Sequence, residues 1–184
     1  MAVDAAGYLF VADFANMRVQ QFSRSGTVFS YVRSYGTTGV PYIGDGAHFN
    51  RPSGLLVDED GSIFITEDSG HRLIKLNADG DLQWTVGSAG VKGQWYPSDT
   101  LFNVPNDVAL DSSGKVYVAD RYGSRVQVFY PDGTFYHSVS GFGCVGGVAI
   151  TPEDYLYAID ACEHVIKIYD ADLNPCLLYT SDAA

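Results

Sequence analysis

Short runs of apolar residues, broken at regular intervals by turn residues, fill this chain almost from end to end. Within residues 104–140 the runs are DVALD (107–111), KVYVA (115–119), RVQVF (125–129) and FYHSV (135–139). Val, Tyr and Phe crowd these runs, as a pleated, half-buried surface favours. Between such runs lie Asp58-Glu59-Asp60-Gly61, Asp111-Ser112-Ser113-Gly114, Ala78-Asp79-Gly80 and Pro131-Asp132-Gly133. An Asp side chain bonds its own backbone and Gly supplies positive φ, so each reads as a tight hairpin turn. No segment carries the 3.6-residue apolar period of an amphipathic helix.

The pattern is also copied. A turn residue stands at Gly7, Gly61, Gly114 and Asp154, with an aromatic three positions on at Phe10, Phe64, Tyr117 and Tyr157. Six positions on is an acid: Asp13, Glu67, Asp120, Asp160. Twelve on is an aliphatic (Val19, Leu73, Val126, Ile166), and fifteen on a bulky apolar residue (Phe22, Leu76, Phe129, Tyr169). Fixed internal spacing means one supersecondary unit repeated in series. Four antiparallel strands per copy make a β-propeller blade, so the expectation is an all-β fold of about four blades. The predicted blades are 1–34, 51–87, 104–140 and 144–175. Links between the first three copies carry insertions, at 36–50 and 87–103. In a meander these links share one face, the top, with the loops between second and third strands. Extra loop length gathered there predicts a binding face.

The last nine residues, 176–184 (CLLYTSDAA), break the repeat where a fourth strand is due and resemble translated sequencing-adapter sequence. They are set aside as an adapter- or vector-derived tail. Met1 falls where an inner strand is already expected. The chain therefore reads as a piece of a larger propeller, with further blades of the parent chain as its neighbours.

The formal net charge is −11, with 11 Lys and Arg and no basic run. Nucleic-acid affinity needs clustered cations, so that partner is disfavoured. No apolar run is long enough to span a membrane. Cys144 and Cys162 lie nine residues either side of Glu153, the centre of the fourth copy's first turn. Antiparallel pairing brings them near each other, either as a disulfide of an extracellular or cell-envelope protein or as two unlinked buried residues.

At this point the residues carry a resemblance. Pro105-Asn106-Asp107-Val108-Ala109-Leu110-Asp111, then Gly114, then VYVAD (116–120) and RVQVF (125–129), resemble the NHL repeat, as do the copies starting at Arg51 and Ala2. The fourth copy departs, with Val145 for Pro, Asp154 for Gly and Val165 for Arg. The resemblance implies a propeller of six blades and, in most members, an interaction module for a protein, peptide or glycan. Some members bind RNA. One branch, similar to the peptidylglycine amidating lyase, holds a catalytic zinc on His residues that follow the inner-strand Pro. Ser53 and Asn106 stand at those positions here, so neither a cofactor nor a metal is expected, the alternative being a metal-assisted lyase or hydrolase whose ligands lie partly in further blades. Arg121 and Tyr122 match functional residue types of the lyase, though there they come from different blades. His48, His71, His137 and His164 share no converging spacing, and His71 and His164 read as solvated loop residues.

Repetition of Asp13 with Arg18, Glu67 with Arg72 and Asp120 with Arg125 predicts a structural pair in each blade. The candidate binding residues are those that differ between copies on the top face: Arg51, His71, Trp95, Tyr96, Asn106, Asp107, Arg121 and Tyr122. Aromatic and Arg side chains of this kind are enriched in binding hot spots. No catalytic residue is assigned.

Overall fold

The computed structural model describes residues 1–39, 48–88 and 98–180. It forms four sheets, each a four-stranded antiparallel meander whose strand order follows the chain. Blade one holds β1 (Ala2–Val3), β2 (Leu9–Asp13), β3 (Arg18–Ser25) and β4 (Val28–Tyr35). Blade two holds β5 (Pro52–Val57), β6 (Ile63–Glu67), β7 (Arg72–Leu76) and β8 (Leu82–Gly87). Blade three holds β9 (Pro105–Leu110), β10 (Val116–Asp120), β11 (Arg125–Phe129) and β12 (Phe135–Ser140). Blade four holds β13 (Val145–Ile150), β14 (Leu156–Asp160), β15 (Val165–Tyr169) and β16 (Pro175–Thr180). Single 3-10 turns, Phe14–Asn16 and Arg121–Gly123, follow the second strand of blades one and three.

One expectation is corrected by this topology. The repeat does not break at residue 176: β16 pairs with β15, Ile166 facing Tyr179 and Ile168 facing Leu177. The unpaired edge of β15 offers a row of backbone donors and acceptors, and any strand-forming run in reach satisfies them.

The core lies between blades rather than within them. Phe10, Val19 and Tyr35 of blade one meet Leu55, Ile63, Ile65 and Ile74 of blade two. Phe64, Leu73 and Val86 of blade two meet Val108, Val116, Val118 and Phe129 of blade three. Tyr117, Val126, Val128 and Val139 of blade three meet Val145, Leu156, Ala158 and Tyr169 of blade four. Alternation along each strand thus gives each sheet two apolar faces, one for each neighbour. Where no neighbour packs, the same repeat position is open: Tyr157 is 39% exposed, its equivalents Phe64 and Tyr117 only 2% and 1%.

The outer strands are stapled to the next blade from one repeat position. In blade one Arg33 donates to the carbonyls of Ala78 (2.6 Å) and Asp79 (3.2 Å). In blade two Trp84 Nε1 donates to the Pro131 carbonyl at 3.1 Å. The turn receiving Trp84 needs Gly133: its φ is +86°, and a Cβ there would sit 3.0 Å from the indole.

Candidate functional site

Beneath the top face each blade repeats a clamp, deeply buried in blades two and three and half-buried in blade one. The carboxylate that ends the second strand pairs with a cation of the third: Asp13 with Arg18 (2.9 Å), Glu67 with Arg72, and Asp120 with Arg125 (3.1 Å). Blade four keeps the pair with a different residue. Lys167 reaches Asp160 at 2.9 Å, so the cation moved two positions when Val165 replaced Arg. Periodicity could not show this, because Lys167 sits where other copies have Gln20, Ile74 and Gln127.

The clamps also hold the inserted links. Glu67 accepts the Asn50 N–H, and Arg72 donates to the His48 carbonyl. Asp120 accepts the Asn103 N–H, and Arg125 donates to the carbonyls of Ser98 and Leu101. Both inserted links, and the short third link as well, drop a Phe between blades: Phe49, Phe102 and Phe142, exposed by 1%, 0% and 6%. These residues stand three positions before each inner strand, a spacing readable in FNRP (49–52), FNVP (102–105) and FGCV (142–145) and missed at the sequence level. The loops therefore rise from fixed feet.

Burial differs from clamp to clamp, and the carboxyl groups respond. Burial pushes Glu67 and Asp120 above their ordinary values despite their arginines. At Asp160 burial also pushes upward, but Lys167 and the N–H groups of Gly143, Cys144 and Glu163 outweigh it and hold the carboxyl at about 2.

Of the candidate residues, the structure gathers four around the upper end of blade three. Asn106 and Asp107 open β9, and Arg121 and Tyr122 form the 3-10 turn beside it. The Arg121 guanidinium lies 5.2 Å from the Tyr122 ring centre, and Tyr122 is 55% exposed. Two buried polar atoms here, Asn106 Oδ1 and Arg121 Nε, have no hydrogen-bond partner. Asn106 Nδ2 is spent on the Gly146 carbonyl at 2.8 Å. Asp107 bridges to blade four by accepting the Val148 N–H at 3.1 Å, and burial raises its carboxyl above the ordinary value. Gly54 permits the inner strands to approach: a Cβ there would lie 2.7 Å from the Asp107 Cα.

Arg51 sits apart from this group. It is exposed, and its guanidinium lies 5.4 Å from the Phe14 ring centre of blade one. Trp95 and Tyr96 lie outside the described residues.

His71 is the clear correction. It is not solvated but 4% exposed, and its Nδ1 accepts the Val104 N–H at 3.1 Å. Met17, His71, Ser124 and His164 occupy one repeat position, all with φ between 52° and 58°. The left-handed turn at that position directs the imidazole in blade two toward the next blade's inner strand, while His164 stays exposed. Cys144 and Cys162 are joined in a disulfide, Cα–Cα 5.3 Å. It ties the start of β13 to the loop after β14, in addition to the Ala161 N–H to Cys144 carbonyl bond that blade four shares with its equivalents Asp68 to Arg51 in blade two and Arg121 to Val104 in blade three.

Residues 102–129, which span this cluster, match the family model described as NHL repeat. The chain is an NHL-repeat β-propeller. This propeller is 34% identical over 122 residues to NHL repeat-containing protein 3 of Homo sapiens, covering 65% of the chain and 33% of that protein. It is 28% identical over 136 residues to the human E3 ubiquitin-protein ligase TRIM32, covering 67% of the chain and 20% of the ligase. It is 34% identical over 82 residues to the probable peptidyl-alpha-hydroxyglycine alpha-amidating lyase pgal-1 of Caenorhabditis elegans, covering 44% of the chain and 23% of the lyase. The chain thus spans a third or less of these relatives' length. Among solved structures it superposes on virginiamycin B lyase of Staphylococcus aureus with TM-score 0.72 at 13% identity, covering 99% of the chain and 55% of the lyase. That likeness shows the fold alone.

The zinc implied by resemblance to the amidating lyase does not fit the residues present. Ser53 Oγ is committed to Thr66 and the Pro105 carbonyl, and Asn106 Nδ2 to Gly146. Among the described residues no three His, Cys, Asp or Glu side chains gather as a metal would require.

Proposed function

We propose that this NHL-repeat propeller is a non-enzymatic recognition module, holding a protein, peptide or glycan on its top face. The observation that supports this best is the pair of buried, unpartnered atoms, Arg121 Nε and Asn106 Oδ1, beside the exposed Tyr122 ring. Buried polar groups without partners are rare, and a donor and an acceptor left open at the upper end of one blade suit a ligand that supplies the complement. Tyr122 adds apolar contact area at low entropic cost, and Arg51 over Phe14 offers a second Arg–aromatic contact. The clamps and the Phe anchors keep these groups in place before binding, which lowers the ordering cost.

The test is to select ligands for the wild-type protein from a peptide-display library and a glycan array, then measure each against Arg121→Ala/Tyr122→Ala. Affinity should fall at least about tenfold, the loss of one modest hot spot. An unchanged ligand set and affinity would exclude this surface.

Similarity to amidating lyases supports a second reading, cleavage of a peptidyl-α-hydroxyglycine, to which Arg121 and Tyr122 would contribute. Turnover of that substrate by the wild-type protein decides between them. We also place the protein outside the cytosol, in an extracellular or cell-envelope setting. The Cys144–Cys162 bond supports this, since disulfides persist in oxidising compartments. Both thiols reacting with alkylating reagent in protein taken from its native source would count against it.

A further inference from the structure

Seen from the opposite, bottom face, the blade junctions are not alike. Between blades three and four the turns are sealed: Asp154 accepts from the Ser112 N–H (2.8 Å) and hydroxyl (2.6 Å). One junction earlier, the repeat position of Ser112 holds Glu59 and that of Asp154 holds Gly114. Gly114 has no side chain to answer Glu59, and the junction stays open as a groove of about 730 Å³. That volume falls within the range of ligand-binding clefts.

The groove has an apolar floor and an acidic rim. Leu56, Phe64, Leu110 and Pro131 form the floor. Asp58 and Asp111 on the walls are occupied by their own turns, Asp58 by the N–H groups of Asp60 and Ser62, Asp111 by Ser113 and Lys115. Glu59 and Asp60 are exposed and make no ion pair among the described residues. Lys75, whose ammonium lies 5.0 Å from the Phe64 ring centre, already shows how a cation rests on this floor.

We infer that this groove is a second docking site, independent of the top face, for a basic segment of a partner protein. A Lys or Arg stem lies along the apolar floor while its charged head meets Glu59 and Asp60, and a neighbouring bulky apolar residue fills the remaining volume. The net charge of −11 steers such a segment inward and repels an acidic one.

The probe is a capped pentapeptide, acetyl-Leu-Lys-Leu-Lys-Leu-amide, titrated calorimetrically against the whole chain. Its counterpart with Glu in place of Lys serves as control. Binding of the basic peptide should weaken at least about tenfold in Glu59→Gln/Asp60→Asn, and also when salt is raised from about 20 mM to about 300 mM. Glu59→Ser/Gly114→Asp copies the seal of the next junction and should abolish binding without unfolding the protein. Arg121→Ala/Tyr122→Ala should leave it intact. No heat up to about 1 mM peptide, equal binding of the acidic control, wild-type affinity in either groove variant, or loss in the top-face variant would each overturn the assignment.

Discussion

Replacing Arg72 by Leu tests the clamp where it is most deeply buried. The side chains of Arg72 and Glu67 are 2% and 0% exposed, and Glu67 also carries the Asn50 N–H. Removing the guanidinium strands a carboxylate in a dry interior and takes a donor from the His48 carbonyl. Breaking one side of a buried ion pair costs about 3–5 kcal/mol. That is a large share of the roughly 5–15 kcal/mol by which such domains are stable, equivalent to roughly 6–20 °C in Tm. The same change at Arg18, whose pair with Asp13 has side chains 27% and 20% exposed, should cost about 1 kcal/mol or less. Adding Glu67→Gln to Arg72→Leu should restore much of the loss, because no unpaired charge remains. Urea unfolding of the four proteins, with slopes compared to confirm a common transition, gives these differences. Equal costs at Arg72 and Arg18, or no recovery in the double variant, would refute the argument from burial.

Two further substitutions probe the blade junctions and the acid response. Gly133→Ala should destabilise by about 1–3 kcal/mol, since φ is +86° and the new methyl meets the Trp84 indole; a change under about 0.5 kcal/mol by the same unfolding assay would show the staple to be unimportant. Asp160 is depressed from 3.8 to about 2, so its contribution of about 2 kcal/mol is fully present above pH 4 and disappears as pH falls through 2. Lys167→Met should flatten that acid limb in stability measured from pH 5 to about 2, and an unaltered limb would show that Lys167 does not hold the carboxyl down.

Much of this molecule can be read from spacing, because a repeat confesses its own register. The Gly–aromatic–acid–aliphatic series places all four sheets, and the recurring acid and Arg announce a pair before its geometry is known. Where a copy departs from the series, spacing loses its grip. Lys167 replaces an arginine from another position on the same strand, and only the fold shows that its ammonium reaches the same carboxylate. His71 is a polar residue in a loop by sequence; the left-handed turn it occupies sends its ring inward. The run at 176–180 lacks the repeat's marks, yet an open strand edge accepts it.

Sequence by itself therefore determined the architecture, since local propensity, turn chemistry and two-residue alternation repeat identically and need no long-range information. Tertiary structure alone decided which polar groups are satisfied and which stay open. Asn106 and Arg121 are ordinary polar letters until blade four takes one amide hydrogen and burial isolates Asn106 Oδ1 and Arg121 Nε. Glu59 is one more turn acid until it faces a glycine across a junction. Both facts depend on which blades stand side by side, and contact between blades joins residues some fifty positions apart that no local pattern connects.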